Sequence, residues 1–481
     1  MRRFIKDLSG GLNLSKPPHL IQDNQLSVAT DCVYRSGKWQ KRDGFANLTA
    51  TTDTAKVLEV TDQVRNDGTV RRFHATTNNI YEWNGSSYTA RLAASSNRLS
   101  TEKLFFTEIN NEIYVTDSKN NIAKSSTGAF SNISWDTSSS GRNVTAAHVI
   151  LSFNSRLLLF NTTDGTDGEV PYRMLFTDVL DFDRVSTNNF LDLSYSSSPI
   201  ITAKRLGQNF VAVYKSDSIV TLQDQGSPLF FVPKARQTIG IIGPKAVTDI
   251  PNGHVFVSND GIYVFNGGAV EPIADRTIVS DFFENLNYTY KDNIYCWTDL
   301  KNREVIIHYP TGSNEEPDKC IVWNYQSNVW SQWNFNAYAG FYRYRNIATP
   351  EVYFGSASGI VKQRDTSGTD GSSAIASTLA TKAFHSVFGG QVLGADANAA
   401  TDYVQVLRVQ TDATPTSTSI SVGSADLGTD TPTYVDNTIT DTDGKAPRAD
   451  FNEFGRYITI KATNFTSLSE FIVDIESGGD S

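Results

Sequence analysis

The sequence predicts an all-β protein built around a β-propeller, a ring of small antiparallel sheets. A strand-turn unit recurs in altered form between about Phe73 and Arg364, most clearly in NNIYEWNG (Asn78–Gly85) and NDGIYVFNG (Asn259–Gly267). Successive units lie roughly 30 to 45 residues apart, the length of a four-stranded blade with its loops. Aromatic residues make up 11% of the chain and there are only 2 methionines, a composition typical of strands.

Residues 1–50 are predicted to be an extended segment that ends in a hairpin. In CVYRSGKWQKRDGF, apolar and polar residues alternate on both sides of Ser36 and Gly37, and Gly44 follows the second strand. Alternation around a short polar turn is the pattern of a β-hairpin.

Residues 51–365 are predicted to form the propeller. Seven anchor segments of the repeat are found there, which indicates six or seven blades of irregular length. Thr277–Asn287 has a helical pattern, with Ile278, Phe282 and Phe283 on one face. We therefore expect one short helix inside an otherwise β-structured region.

Residues 366–481 are predicted to be a small antiparallel, sandwich-like β domain. The polar stretch DTSGTDGSSAIAS separates them from the last repeat, as a linker or a wide loop would. Strand patterns follow in Tyr403–Thr411, in STSISVGSADLG and in Arg456–Asn464.

Charge argues against tight binding of nucleic acid. The chain has 42 Lys and Arg against 52 Asp and Glu, a formal net charge of −10. Tight binding to a phosphate backbone depends on clustered cations, whereas an acidic wall lets a polyanion pass without sticking.

Cys32, Cys296 and Cys320 are scattered, so we expect buried free thiols and a reducing compartment. MRRFIKDLSGG has no apolar core of signal-peptide length, so we expect neither an export signal nor a membrane span.

No catalytic or metal-binding motif is recognisable, so we expect a protein that is not an enzyme and has no cofactor. The six histidines stand singly, and neither a nucleophile elbow nor a phosphate-binding loop is present. Asp164, Asp167 and Glu169 do not supply the ligand series of a calcium loop, which favours a polar turn. The aromatic stripe Ile321–Trp333 fits blade packing better than a sugar-stacking platform.

Four segments in the same order resemble the tail nozzle proteins of short-tailed bacteriophages, also called tail hub or tail tubular protein B-like proteins. The family's Gly-Gly-Leu-Asn start, Asp-Asn-Gln step and Arg-x-Gly close are similar to SGGLNLSKPPHLIQDNQ and VYRSGKWQKRDGF. The other three segments are FVAVYKSDSIVTLQ with TIGIIGPKAV, VFVSNDGIYVFNGGAVEPIADRTIVSDFF, and FNEFGRYITIKATNFTSLSEFIVDIE.

This resemblance implies a structural virion protein, present as a homohexameric ring below the adaptor (head-tail connector) ring. The ring would extend the DNA channel, help to retain and then eject the genome, and anchor tail fibres or tailspikes. A tail needle or tip protein would be a further partner, and double-stranded DNA would pass without tight binding. The resemblance places the protein in the virion tail, after assembly in the host cytoplasm.

Two other classes remain open at this point: a glycan-binding or glycan-processing propeller, and a monomeric scaffold propeller. Under the nozzle interpretation, Asp164, Asp167 and Glu169 are candidates for the channel or its gate because they form an acidic loop. Arg2, Arg3 and Phe4 are candidates for contact with the adaptor.

Overall fold

The computed structural model describes residues 2–48, 53–92, 103–226, 231–274, 276–343, 350–385, 403–414, 418–439 and 447–477. These residues are almost entirely β-structured, since β-branched and aromatic residues alternate with polar ones between Gly, Asn and Asp turns. The N-terminal segment contains the strands β1 (Arg2–Ile5), β2 (Gly11–Leu12), β3 (Gln25–Thr30), β4 (Cys32–Arg35), β5 (Lys38–Lys41) and β6 (Gly44–Asn47). The predicted hairpin forms between β4 and β5, with both turn residues at positive φ.

Three four-stranded antiparallel blades follow. The first contains β7 (Glu59–Val64), β8 (Val70–Ala75), β9 (Ile80–Trp83) and β10 (Tyr88–Ala90). The second contains β11 (Phe105–Ile109), β12 (Glu112–Thr116), β13 (Ala123–Ser125) and β14 (Ser131–Asn132). After a 3-10 turn at Ser138–Ser140, the third contains β15 (Val144–Phe153), β16 (Arg156–Asp164), β17 (Gly168–Phe176) and β18 (Phe190–Asp192).

Three more blades have the same order of strands. The fourth contains β19 (Ile200–Leu206), β20 (Phe210–Lys215), β21 (Ile219–Asp224) and β22 (Phe231–Gln237). The fifth contains β23 (Val247–Ile250), β24 (Gly253–Val257), β25 (Ile262–Phe265) and β26 (Val270–Pro272). The sixth contains β27 (Tyr295–Asp299), β28 (Glu304–Tyr309), β29 (Lys319–Asn324) and β30 (Val329–Gln332).

The seventh blade takes its fourth strand from the other end of the chain. It contains β31 (Ala339–Arg343), β32 (Glu351–Gly355) and β33 (Val361–Asp365), and β33 pairs with β6. Its first strand, β31, contacts β7 of the first blade, so the ring is closed. The described residues thus form a seven-bladed propeller, within the predicted six or seven.

The predicted helix is shorter than its sequence pattern. Between the fifth and sixth blades, α1 covers Val279–Asn285 and a 3-10 helix covers Tyr288–Asn293. The carbonyl of Thr277 accepts the backbone N–H groups of Leu14 and Ser15, at 2.7 and 3.1 Å. The N-terminal segment is therefore bonded to the chain just before α1, and α1 starts after that contact.

The remaining strands belong mostly to a second β unit that contains both chain ends. Residues 2–48, which the sequence predicts as part of a separate extended segment, supply strands both to this unit and to the propeller. The strands are β34 (Thr369–Asp370), β35 (Ser373–Ala374), β36 (Thr378–Thr381), β37 (Phe384–His385), β38 (Val404–Thr411), β39 (Ser419–Ala425), β40 (Thr433–Thr438), β41 (Arg448–Gly455), β42 (Tyr457–Thr463), β43 (Ser467–Leu468) and β44 (Phe471–Ser477).

Two sheets form the body of this unit. One has the order β1-β44-β38-β41, and the other contains β3-β36-β42-β39-β40 and joins β30 of the sixth blade through β3. The shorter strands β34 and β35 continue the seventh blade beyond β6, and β43 pairs with β5. The apolar core is continuous from the fifth and sixth blades into this unit. All three cysteines are buried and free, as the sequence predicts.

A buried ion network joins the N-terminal segment to the sixth and seventh blades. Arg364 on β33 reaches Asp299 and Glu304 of the sixth blade, the latter at 3.0 Å, and Asp43 beside β6, also at 3.0 Å. The side chains of Asp299 and Glu304 are fully buried. Arg35 donates from Nε to the other oxygen of Glu304 at 3.0 Å. Two guanidinium groups therefore bridge three carboxylates where the N-terminal segment meets the last two blades.

Arg42 makes a second buried link in the same region. Its Nε donates to Asp31 at 2.6 Å, and its two terminal nitrogens donate to the two oxygens of Asp370 at 2.9 and 2.6 Å. This bidentate contact joins the N-terminal hairpin to β34, more than 300 residues later in the chain.

Candidate functional site

The first strands of all seven blades surround a central cavity with a volume of about 920 Å³. Both polar and apolar side chains line it, and the charged ones are Glu59, Asp62, Glu108, Glu112, Lys204, Arg205, Lys245, Asp249 and Arg343. At one place in its wall the Lys245 ammonium is ion-paired with Glu59 at 2.5 Å and lies 4.0 Å from the centre of the Phe105 ring. The cavity is thus a space of mixed polarity, surrounded by all seven blades, in which carboxylates and cations are nearly balanced.

Asp62 lies in a charged cluster between the first and seventh blades. Its Oδ2 is 2.8 Å from Nε of Arg343, yet neither Asp62 oxygen has a hydrogen-bond partner among the described residues. Arg72 lies on the neighbouring strand at 3.9 Å, and Glu351 accepts a hydrogen bond from Arg343 at 3.1 Å. The Asp62 side chain is only 4% exposed. The cluster therefore couples two blades through ion pairs without saturating the hydrogen-bonding capacity of Asp62.

Burial raises the pKa of Asp62 to about 6, and the nearby Arg343 and Arg72 offset this only in part. Ionised Asp62 thus opposes folding at neutral pH, and the opposition disappears as pH falls through 6 towards the unfolded pKa. We expect Asp62 to increase the free energy of unfolding by up to about 3 kcal/mol between pH 7 and pH 4. Chemical unfolding of the protein and of Asp62→Asn across this range measures the effect as the difference between their pH profiles. Parallel profiles would contradict it.

The structure does not place Asp164, Asp167 and Glu169 at the central cavity. They lie at the turn between β16 and β17 of the third blade, and none of them lines the cavity. Arg142 donates to Asp164 at 3.0 Å and to Asp167 at 2.7 Å, and the backbone N–H groups of residues 166 and 167 donate to Asp164. This is the polar turn, closed by an arginine, that the sequence favoured over a calcium loop.

Arg2, Arg3 and Phe4 lie on β1, an edge strand of the sheet β1-β44-β38-β41. Phe4 is 54% exposed, and on the opposite edge strand β41 Phe454 is 48% exposed. Exposed side chains alternate with buried ones along both strands, so one side of the sheet faces outward. We call this side the outer face.

A row of alternating charges crosses the outer face. Strand register places Arg2 opposite Asp474, Asp474 opposite Arg408, and Arg408 opposite Asp450. Arg2 donates to Asp474 at 2.7 Å and Arg408 donates to Asp450 at 2.5 Å. These pairs are largely solvent-exposed and contribute little to stability. The outer face therefore has both kinds of surface: this row supplies charge, and the exposed aromatic residues on the two edge strands supply apolar area.

Sequence reasoning missed Asp62, Arg343, Arg408 and Asp450. The alternation in RADFNEFG could have placed Asp450 on an exposed strand face, but its partner is separated by 42 residues. Nothing in the sequence around Asp62 indicates that it is buried, because a neighbouring blade buries it.

Nothing in the described part of the chain forms a metal site, since no group of three His, Cys, Asp or Glu side chains is arranged to bind an ion. Burial lowers the pKa of His74 to about 4 and that of His308 to about 3, so both imidazoles are neutral core groups. Trp323 and Trp330 of the aromatic stripe are buried and stacked on each other, so they offer no sugar platform. Across the described ranges, no helix has the length and apolar character needed to cross a bilayer.

Comparison with known proteins gives no family. No protein-family model matches the sequence, and no curated protein matches it. Among solved structures, the extracellular domain of a putative hybrid two-component system from B. thetaiotaomicron is 11% identical, with a TM-score of 0.43, over 68% of this chain and 42% of that one. PorZ, a surface component of the type-IX secretion system of Porphyromonas gingivalis, is 10% identical with a TM-score of 0.39, over 72% and 44% of the two chains.

A third solved structure, the computationally designed Ika8 protein, is 10% identical with a TM-score of 0.40, over 70% of this chain and 96% of that one. The matched region spans less than half the length of both natural proteins. The sheet topology of the chain itself shows the propeller.

Proposed function

We propose that this chain is a structural virion protein, the tail nozzle of a short-tailed bacteriophage. Six copies would form a ring that extends the DNA channel below the adaptor. The observation that carries the proposal is the convergence of three of the four segments that resemble nozzle proteins. The N-terminal segment is bonded to the chain before α1 through Thr277, and its strand β5 pairs with β43 of the C-terminal segment. Three segments that resemble the same family are therefore in direct contact in the fold.

The geometry of the propeller supports a conduit between copies and not through one copy. A cavity of about 920 Å³ has the size of a small-molecule site. It has no room for double-stranded DNA. A duplex is wider than its own major groove, and that groove is already about 12 Å wide and 8.5 Å deep. DNA would therefore pass along the axis of the ring, beside the propellers.

The charge of the chain suits such a conduit. A net charge of −10 per copy would be multiplied in a ring, and like charge reduces adhesion of phosphates to the wall. The fold also suits a rigid wall, because β6 closes the seventh blade and buried ion pairs link that blade to the sixth.

The outer face is the surface that we assign to assembly. It combines exposed aromatic residues with a row of charges, the mixture found at protein interfaces. Arg2 and Phe4 belong to it, so contact with the adaptor or with a neighbouring copy would use the predicted residues.

Electron cryo-microscopy of the native particle that contains this chain tests the proposal. We expect six propellers around an axial channel, next to the adaptor ring. Particles that lack the chain, or a single propeller without a ring, would overturn it. Fibre or spike density on the sides of the ring would identify those partners at the same time.

Removing the aromatic residues of the outer face is expected to block assembly and leave the fold intact. Phe4→Ser with Phe454→Ser deletes apolar area that is half exposed, so the free energy of unfolding should change by less than about 1 kcal/mol. Incorporation into particles should fall at least about tenfold if both side chains anchor the contact. Tyr288→Ser, at 51% exposure, is the matched control. If both variants are incorporated equally well, the outer face is not the surface used in assembly.

A further inference from the structure

The charges of the outer face follow an order that is complementary to itself. Across the strands β1, β44, β38 and β41 the row alternates between positive and negative: Arg2, Asp474, Arg408 and Asp450. These side chains are between 21 and 57% exposed. Counted from the opposite edge of the sheet, the same row begins with a negative charge. A second copy laid on the face with its strands in reverse order therefore places an opposite charge over every member of the row.

A two-fold axis that runs along the strands, between β44 and β38, produces this arrangement. β1 of one copy then lies over β41 of the other, and β44 lies over β38. Arg2 faces Asp450 of the second copy, Asp474 faces its Arg408, and each contact occurs twice. A two-fold axis across the strands would instead place each charge over its own counterpart, where like charges repel. The charges therefore favour one of the two face-to-face arrangements in which the strands stay aligned.

The residues on either side of the charged row fit the same arrangement. On one side, Glu476 of β44 lies next to Gln405 of β38. Reversing the strands places Glu476 over Gln405 of the second copy, where the amide can donate a hydrogen bond to the carboxylate. On the other side, strand register places Phe4 and Arg448 at the two ends of one row. Phe4 then lies over Arg448 of the second copy, and an arginine side chain packs well on an aromatic ring.

The outer face is too small for a permanent dimer. Four strands about 4.8 Å apart, with six residues of about 3.4 Å each, give a face of roughly 20 Å by 20 Å. Two copies would cover on the order of 800 Å² in total, which is less than the roughly 1,200 Å² of the smallest standard interfaces. A pair held by so small an area dissociates readily, so another partner can displace one of its members.

We propose that two copies of this chain pair through their outer faces about a two-fold axis before assembly. The pairing is a property of the chain, and only its role rests on the proposed function. A two-fold contact uses the same surface on both copies, whereas the contacts of a closed six-membered ring join two different surfaces. The pair is therefore not part of the ring. It would cover Arg2 and Phe4 until the adaptor displaces one copy, so that copies do not assemble before an adaptor ring is present.

Sedimentation velocity of the purified full chain measures the pairing. We expect mostly monomer at about 1 μM and a large fraction of dimer at about 300 μM, since interfaces of this size are weak. Raising the salt from about 0.05 to 0.5 M should weaken the association several-fold, because exposed ion pairs are screened. If the chain stays monomeric at about 300 μM, the proposal fails and the outer face serves a different partner.

Two double variants test the order of the charges. Arg2→Glu with Arg408→Glu makes the whole row negative, and Asp450→Lys with Asp474→Lys makes it positive. Each variant by itself should associate at least about tenfold more weakly, whereas an equal mixture of the two should form a mixed dimer. The row contributes little to stability, so both variants should unfold close to the midpoint of the unmodified protein. A mixture that stays monomeric, or a single variant that associates as strongly as the unmodified protein, would refute the arrangement.

Asp260→Lys with Glu271→Lys is the matched control for the positive variant. Both side chains are exposed in the fifth blade, and the net charge changes by the same amount. This control should pair like the unmodified protein, and a loss of pairing would mean that net charge governs the association and not the row. The outcome is separate from the nozzle proposal, because sedimentation uses the purified chain and only the native particle reveals the ring.

Discussion

Arg364→Met is expected to lower the free energy of unfolding by about 3 to 5 kcal/mol, the cost of leaving buried carboxylates without a partner. Arg364 contacts Asp299 and Glu304, whose side chains are fully buried, and only Arg35 would remain beside Glu304. Met has a similar length, so packing loss is small and the change reports the charge. Chemical unfolding followed by tryptophan fluorescence measures it, since the guanidinium lies 5.2 Å from the Trp333 ring.

Two controls separate the network from a general effect of removing arginine. Arg364→Lys keeps the charge but not the planar fork, and should lose less stability than Arg364→Met. Arg408→Met removes an arginine from the exposed row of the outer face and should cost less than about 1 kcal/mol. If Arg364→Met costs no more than Arg408→Met, the buried network does not stabilise the closed ring.

Gly44→Ala is expected to destabilise the closure of the seventh blade, by about 1 to 3 kcal/mol or more. A Cβ at this position would lie 2.1 Å from the carbonyl oxygen and 2.6 Å from the backbone nitrogen of Thr369. Both are backbone atoms, so β6 or β34 would have to move. Unfolding midpoints and the rate of proteolysis near β6 measure the loss.

Gly128→Ala is the matched control, because a Cβ there meets no atom within 4 Å. We expect it to change stability by less than about 0.5 kcal/mol. Equal stability of the two variants would mean that β34 moves away from β6 without cost. The Arg-x-Gly close of the N-terminal segment thus has a physical role: Arg42 is a buried link and Gly44 allows a close approach of two strands.

Some features of the structure could be predicted from neighbouring residues in the sequence, and others depend on distant parts of the chain. The hairpin turn at Ser36 and Gly37 and the polar turn at Asp164 follow from short patterns, because turn geometry depends on neighbours in the chain. The buried position of Asp62 could not be predicted from such a pattern, because EVTDQV has the same alternation as any half-exposed strand. Its burial and its contact with Arg343 depend on a blade about 280 residues away.

The sequence by itself determined the all-β class, a propeller of six or seven blades, the position of the short helix and a second β unit near the end of the chain. These properties depend on alternation and turn chemistry within about ten residues. Only the tertiary structure decided that β6 completes the seventh blade, that both chain ends share one β unit, and which carboxylates are buried with which arginines. The physical reason is that edge-strand pairing and ion pairing act through space. Many polar strands have suitable edges and charges, and packing selects one partner among them.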